Sequence, residues 1–233
     1  MKTKVLFTIL LMFVAGTMLA DKPSMGVAEF RNDTSAGWWS GGVGRELAGM
    51  LTNELAGTGK FKMVEREKLD AVLDEQDLAD SGRISKKSGA KIGKLTGAQY
   101  LVVATLSAFE EDVKGGGGGL SFRGISVGGK KEEAYLAVDL RVIDTTTGEV
   151  EFTRSVEARA SSGGLAVGVY RGGFGGNLSK YEKTPTGKAI RAVIMEISEY
   201  LACAMVDQGD CMAEYQQKES ARREKTKKSI KLD

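Results

Sequence analysis

Residues 133–158 read EAYLAVDLRVIDTTTGEVEFTRSVEA, and this stretch decides the fold class. Two runs alternate between apolar and polar side chains, which is the period of a half-buried β-strand. The TTTGE between them is typical of a turn. We therefore predict a β-hairpin with one buried face. The residues predicted to point inward are Ala134, Leu136, Val138, Leu140, Val142, Val150, Phe152, Val156 and Ala158.

The segments around this hairpin predict helices and further strands. Residues 98–109, AQYLVVATLSAF, are nearly apolar throughout, so we place this strand at the centre of the sheet. MGVAEF and FKMVE predict two shorter strands. Together these elements predict an α+β fold, a mixed sheet with helices that forms the body. Apolar residues at helical spacing predict four helices. The first buries Val43, Leu47, Met50, Leu51 and Leu55, and the second buries Leu69, Val72, Leu73 and Leu78. A weaker third helix covers residues 85–97 with Ile92 and Leu95, and a long fourth helix, capped by Thr184 and Pro185, buries Ile190, Val193, Ile194, Ile197, Leu201 and Met205.

The first twenty residues predict a secretory signal peptide. Lys2 and Lys4 precede an apolar run of 11 residues, VLFTILLMFVA, and small Ala20 ends a plausible cleavage site. A buried N-terminal helix is the alternative. No cysteine lies near the cleavage site, so we expect no lipid anchor there. The predicted domains are the signal peptide at 1–20, the body at 21–212, and a charged tail at 213–233 that is either a polar helix or disordered.

Composition excludes several functions. The chain has no histidine among its 233 residues, which removes histidine-based catalysis, metal sites and pH switches. Cleavage of the predicted signal peptide would remove Lys2 and Lys4 from the 33 Lys and Arg residues. The remaining chain would then have as many basic as acidic side chains, 31 of each. No general basic surface therefore points to nucleic acid. We expect no cofactor, no metal and no enzymatic activity.

Two glycine-rich segments interrupt the predicted body at residues 110–133 and 161–183. Each is longer than twenty residues, which is uncommon for a structureless loop inside a compact domain. A membrane-spanning β-hairpin needs about 22 residues, so each segment is long enough for one. Four strands cannot close a barrel, so several copies would have to share one. The alternative is that both segments are mobile loops.

Three smaller motifs carry weaker signals. GISVGGKK at 124–131 resembles a phosphate-binding loop, but it ends in lysine and a strand follows it, so we reject nucleotide binding. Glu67, Asp70 and Asp74 alternate with basic residues and predict a solvated helix face rather than acid–base catalysis. Cys203 and Cys211 are compatible with a small disulfide loop or with a buried free thiol.

Both tryptophans of the chain, Trp38 and Trp39, lie in the loop SAGWWSGG. One reading is that a ring anchors the loop on the body, because tryptophan usually packs against buried neighbours. A second reading is an exposed contact patch for another protein.

The chain resembles the CsgG family, the curli production assembly and transport components. The resemblance rests on the order and spacing of GVAEFRNDT, ELAGMLTNEL, FKMVEREKLDAVLDEQ, GAQYLVVATLSAFEEDVK and LAVDLRVIDTTTGEV. It implies an exported, ring-forming homo-oligomer whose protomers insert two β-hairpins each into the outer membrane. These hairpins correspond to residues 110–133 and 161–183. It also implies passive export of unfolded amyloid subunits, with periplasmic and surface accessory proteins as partners.

The resemblance gives the tryptophan loop a third reading. Family members narrow their channel at the loop between the first strand and the first long helix, where Trp38, Trp39 and Ser40 lie here. The curli channel is a lipoprotein, however, and this chain lacks the acylated cysteine. Residues 115–119 would also face lipid without side chains. The alternative function is therefore a soluble periplasmic interaction or assembly module that forms no pore.

Overall fold

The structure is a computed structural model that describes residues 21–85, 87–115, 120–122, 125–127, 130–162, 176–181 and 183–229. The predicted signal peptide lies outside these residues. So do residues 163–175 of the second glycine-rich segment and residues 230–233 of the charged tail. Within the described ranges, no helix combines the length and the apolar character that crossing a membrane requires.

The strands of the body form one mixed sheet. They are β1 Ser24–Val27, β2 Arg31–Asn32, β3 Lys62–Met63, β4 Tyr100–Gly115, β7 Lys130–Asp144 and β8 Val150–Ser161, while β5 Leu120–Phe122 pairs with β6 Ile125–Val127 separately. The order is β3-β1-β4-β7-β8, and β2 also pairs with β4. β1 is parallel to β3 and β4, whereas β7 is antiparallel to β4 and β8. The predicted α+β class, the mixed sheet and the central position of the most apolar strand are confirmed.

β7 and β8 form the predicted hairpin, with Val138 opposite Val156. The turn is held by Asp144, whose carboxylate accepts hydrogen bonds from the backbone N–H groups of Thr147 and Thr146 at 3.1 and 2.6 Å. These bonds lower the pKa of the Asp144 carboxyl. The predicted inward residues are buried or half-buried except Val150, which is 51% exposed. The prediction for Val150 is wrong because a register shift beside the turn pairs it with Ile143 at the end of the ladder.

Two helices cover one face of the sheet. α1, Val43–Thr58, packs on β1 and β3, α3, Pro185–Ala202, packs on β7 and β8, and the two helices contact each other. The predicted cap is confirmed, since the Thr184 hydroxyl accepts a hydrogen bond from the Gly187 N–H at 3.2 Å and Pro185 begins the helix. The predicted apolar stripes of both helices form the core, with Met205 partly buried against it just beyond α3.

The second predicted helix forms as α2, Leu69–Asp80, but the prediction that its apolar stripe is buried is wrong. Val72, Leu73 and Leu78 are exposed, and α2 buries only Gln76. The helix predicted over residues 85–97 is also wrong, because its described residues form turns and irregular backbone. Three glycines lie in that stretch, each costing a helix about 1 kcal/mol relative to alanine. Ile92 and Leu95 are exposed there.

The two glycine-rich segments differ in their described parts. In the first, β4 and β7 continue as a paired ladder out to Gly115 opposite Lys130. In the second, Gly176–Tyr181 is a 3₁₀ helix, so these residues of the segment predicted as a hairpin, 161–183, are not part of a strand. Burial explains the change, because Leu178 is fully buried in the core and its N–H donates to Glu46 Oε2 of α1 at 3.0 Å.

The C-terminal part continues from α3 as a π-helical turn, Cys203–Asp207, followed by α4, Asp210–Ser229. The charged tail is predicted to be either a polar helix or disordered, and its described residues form a helix. α4 packs on the body through Tyr215, which is buried in the core cluster.

Candidate functional site

The loop between β2 and α1 contains both tryptophans and is fixed where it leaves the sheet. Asn32 Oδ1 accepts hydrogen bonds from the backbone N–H and the hydroxyl of Thr34, at 2.9 and 2.7 Å. The N–H of Asp33 donates to the carbonyl of Leu106 on β4 at 3.0 Å. The first turn of the loop is therefore tied to the central strand and to its own side chains.

The other end of the loop is fixed by a close approach of two backbone segments. Gly42 has a φ of 93°, a left-handed conformation that favours glycine, and α1 begins after it. A Cβ at Gly44 would lie 2.4 Å from the carbonyl oxygen of Phe30. The N–H of Phe30 donates to the Gly44 carbonyl at 3.1 Å. Only glycine allows the first turn of α1 to lie this close to the backbone just before β2.

Trp38 anchors the middle of the loop. Its ring is 5% exposed and packs against Phe109 of β4 and Tyr181 of the 3₁₀ helix, with ring centroids 5.7 and 6.5 Å away. Both contacts are edge-to-face, which is favourable for aromatic pairs. The indole Nε1 is buried and has no hydrogen-bond partner among the described residues. Of the readings that the sequence left open, Trp38 in this protomer takes that of a core anchor.

Trp39 and Ser40 occupy the exposed side of the same loop. The Trp39 ring is half-buried and lies 5.5 Å from the Trp38 ring, and Ser40 is exposed. Their backbone is ordered by two turns, since Trp39 N–H donates to Ala36 at 3.0 Å and Ser40 O accepts from Val43 N–H at 3.1 Å. The loop thus presents one aromatic face and one hydroxyl on an anchored support. Of the three predicted constriction residues, Trp39 and Ser40 are the two whose side chains reach the surface.

Of the two possibilities left open for Cys203 and Cys211, the structure has the disulfide, with Cα atoms 6.0 Å apart. The bridge joins the π-helical turn after α3 to the start of α4 across Gln208, whose φ is 54°. It therefore fixes the angle at which α4 leaves the body.

Sequence reasoning missed a cluster where α4 meets β8. The Arg154 guanidinium lies against the rings of both Tyr200 and Tyr215, 4.7 and 4.6 Å from their centroids. A signal was present, because the alternation that puts Phe152 and Val156 inward also puts Arg154 inward. Burial raises the pKa of Tyr215 to about 12, with the carboxylates of Glu196 and Glu199 adding to the shift.

The acidic residues near α2 form no catalytic arrangement. Glu65 Oε1 accepts hydrogen bonds from the backbone N–H groups of Arg66, Glu67 and Lys68, which occupies that carboxylate structurally. Burial, together with the neighbouring Glu65 charge, raises the pKa of Glu67. Asp70 and Asp74 are exposed. In the part of the chain that the structure describes, no group of three or more acidic or cysteine side chains is placed to hold a metal ion.

Comparison with known sequences agrees with this architecture. The sequence model of the family described as "Curli production assembly/transport component CsgG" matches residues 11–230, nearly the whole chain. The chain belongs to the CsgG family. This is a family of transport components and not of enzymes.

The relatives of this CsgG-family chain are distant. It is 26% identical over 137 residues to the curli production assembly/transport component CsgG of Salmonella typhimurium, which covers 57% of this chain and 50% of that protein. It is 27% identical over 190 residues to a protein of Neisseria meningitidis serogroup B named as a lipoprotein, covering 80% of this chain and 76% of that one. The chain thus spans about half the length of the curated CsgG proteins that it matches.

A solved structure from Chlamydia trachomatis, the hypothetical protein CT253, is also similar. It shares 14% identity, covers 77% of this chain and 95% of its own, and has a TM-score of 0.44. A score at that level supports no inference about function or assembly.

Proposed function

We propose that this chain is a subunit of an outer-membrane secretion channel that exports unfolded curli-type amyloid or adhesin subunits passively. The observation that carries the proposal is the family match over residues 11–230. The proposed channel is a ring of identical subunits in which residues 110–133, and the part of 161–183 that precedes the 3₁₀ helix Gly176–Tyr181, contribute hairpins to a shared β-barrel. Periplasmic and surface accessory proteins are its proposed partners.

The strand order supports a common exit for both segments. β4, β7 and β8 are neighbours and alternate in direction, so the end of β4, the start of β7 and the end of β8 lie at one end of the sheet. Glu133 pairs with Ser161, and the Ser162 N–H donates to the Glu132 carbonyl at 2.9 Å. The two segments therefore leave the body side by side, as two hairpins of one barrel would.

The tryptophan loop lies near this same end. Trp38 contacts Phe109, and the first candidate hairpin starts one residue later. We assign the constriction to Trp39 and Ser40 and a supporting role to Trp38, which is buried. Repeated around a ring, Trp39 would form an aromatic collar. Such a collar contacts an unfolded chain without demanding a sequence, because its contacts are apolar and cation–π.

Fractionation and imaging of the full chain test this proposal. After expression with its leader, a channel subunit should resist carbonate extraction from outer membranes and appear as rings by electron microscopy of detergent-purified protein. In planar bilayers, Trp39→Ala should raise single-channel conductance. Val206→Ala is the matched control, since Val206 is an exposed apolar residue on the turn that follows α3. A monomer in the periplasmic extract would refute the proposal.

A second candidate is a soluble periplasmic assembly module with the same body. The observation that favours it is the charge at the base of the first segment, where residues 110–114 read EEDVK and residues 130–133 read KKEE. Glu110 and Glu111 are consecutive in β4, and Glu132 and Glu133 are consecutive in β7, so charged side chains lie on both faces of this strand pair, which suits water better than hydrocarbon. The same fractionation separates the two, since this module would leave the membrane in carbonate and give no conductance.

A further inference from the structure

Arg154 is a nearly buried cation without a hydrogen bond. Its side chain is 14% exposed, and its Nε is fully buried. Among the described residues the guanidinium donates no hydrogen bond. The one carboxylate within ion-pair distance is that of Glu196, whose Oε1 lies 3.8 Å from Nη2. Buried polar groups are nearly always hydrogen-bonded, so the buried Nε–H of Arg154 calls for an acceptor.

The surroundings hold this guanidinium in one orientation. It contacts the rings of both Tyr200 and Tyr215, which themselves meet edge-to-face with centroids 5.3 Å apart. The disulfide between Cys203 and Cys211 ties together the helices that carry the two tyrosines. The donor fork of Arg154 is therefore preorganised, which reduces the entropy lost when an acceptor binds.

Arg154 opens into a groove of about 570 Å³ between β8 and α4. Arg222 and Arg223 also line the groove, and the one acidic residue among its lining residues is Glu219. Glu219 is already occupied, because Arg222 and Arg223 donate to its carboxylate at distances of 2.7 to 2.9 Å. Arg222 also pairs with Glu157 beside the groove, at 3.2 Å. The lining residues still comprise three arginines and one glutamate, and Arg154 donates no hydrogen bond to any of them, a combination that favours an anionic ligand.

The groove follows the edge of the sheet. β8 ends the strand order, so in the described sheet its only strand partner is β7. A second depression continues the groove past Ser155, Glu157 and Arg159 of the same strand. An exposed strand edge offers a row of backbone donors and acceptors, which is the surface that an extended peptide adds to.

We propose that the groove between β8 and α4 binds an extended peptide segment carrying an acidic side chain, whose carboxylate accepts hydrogen bonds from Arg154. The peptide backbone pairs with the free edge of β8, and the tyrosine rings form an apolar wall beside the carboxylate. This site is remote from the tryptophan loop in the sequence and does not depend on the export function proposed above.

The test measures binding of two dye-labelled, end-blocked peptides to the full chain by fluorescence polarisation. Both peptides have eight residues that alternate between valine and threonine, and they differ only in a central Glu or Gln. We expect the Glu peptide to bind at least tenfold more tightly than the Gln peptide. Hydrogen exchange should show protection of β8 backbone amides with the Glu peptide. Equal affinities, or no protection of β8, would overturn the proposal.

Substitutions locate the recognition at Arg154. Arg154→Lys keeps the charge but loses the planar donor fork, so the preference for Glu should fall at least fivefold. Glu196→Gln removes the competing carboxylate and should tighten binding of the Glu peptide. Arg45→Gln is the control, because Arg45 lies on α1 and pairs with Glu29 there.

Three results would reject these assignments. An unchanged Glu preference in Arg154→Lys would exclude Arg154, and weaker binding in Glu196→Gln would exclude competition by Glu196. Competition by inorganic phosphate alone, with no gain from peptide length, would show a small-anion site and refute the peptide. If an Arg154 variant does not fold, the Glu and Gln peptides on the unaltered protein still decide the question.

Discussion

Replacing Trp38 should destabilise the fold far more than replacing Trp39, its immediate neighbour. Trp38 is 5% exposed and packs against two other rings besides Trp39. Large-to-small changes of a buried aromatic residue cost about 3–5 kcal/mol. Trp39 is only half-buried, so Trp39→Ala loses less apolar burial, and we expect about 1–2 kcal/mol. A typical domain has about 5–15 kcal/mol of stability, so the first change consumes a large share of it.

Urea unfolding followed by far-ultraviolet circular dichroism measures both free energies of unfolding. Dichroism is preferable to fluorescence because each variant removes one of the two tryptophans of the chain. Trp38→Phe should recover about half of the loss, since it keeps an aromatic ring in the same cluster. The slope with urea should stay unchanged if only the native packing is altered.

Equal losses for Trp38→Ala and Trp39→Ala would refute the placement of Trp38 as the anchor. A larger loss for Trp39→Ala would refute it more directly, because it would exchange the roles of the two rings. Conductance is independent of this result. A folded ring in which Trp39→Ala leaves conductance unchanged would reject Trp39 as a constriction residue while leaving the anchoring role of Trp38 intact.

Three further outcomes are expected. The double substitution Cys203→Ala with Cys211→Ala should lower the free energy of unfolding by about 2–3 kcal/mol, because the short loop is no longer closed in the unfolded chain. Dithiothreitol should destabilise the unaltered protein by a similar amount and leave the double variant unaffected. Hydrogen bonds from Arg222 and Arg223 lower the pKa of Glu219 to about 2, so its stabilising contribution is present above the ordinary value of 4.5 and disappears as pH falls towards 2. Urea titrations at pH 7 and pH 2 should therefore show Glu219→Gln less stable than the unaltered chain at pH 7 only, and a constant difference would contradict this assignment. Gly44→Ala should cost about 1–3 kcal/mol by forcing a Cβ against the Phe30 carbonyl, whereas Gly49→Ala, in the same helix with only Glu67 Oε2 nearby at 3.4 Å, should be neutral or stabilising in thermal melts.

The core of this fold follows from periodicity because its elements bury one face within one chain. The alternation in β7 and β8 and the stripes of α1 and α3 each describe a surface that the same protomer covers. Periodicity failed at α2, where Leu69, Val72 and Leu73 fall at helical spacing but Val72 and Leu73 are exposed. An apolar stripe predicts that a helix forms, but it does not show which surface covers the stripe. Glycine content, rather than the apolar pattern, explains why the described residues of 85–97 form no helix.

The candidate site was predictable in place but not in detail. The order of strand, loop and helix located the tryptophan loop, and the sequence left open which ring is buried. That choice depends on Phe109 and Tyr181, which lie about 70 and 140 residues further along the chain and are brought together only by the fold. Arg154 departs from the apolar–polar alternation of β8, because a charged residue stands at an inward position. Such a departure often marks a site, but the alternation does not show which rings the side chain contacts.

Strand direction links the two glycine-rich segments more strongly than their composition does. Three adjacent strands that alternate in direction must place the end of β4, the start of β7 and the end of β8 at one end of the sheet, whatever side chains they carry. If β8 ran antiparallel to β4, its end would lie at the opposite end of the sheet and the exits would be separated. Since Glu133 pairs with Ser161, the two segments begin as neighbouring strands. Any function assigned to one segment therefore involves the other, whether they insert into a membrane or contact a partner in solution.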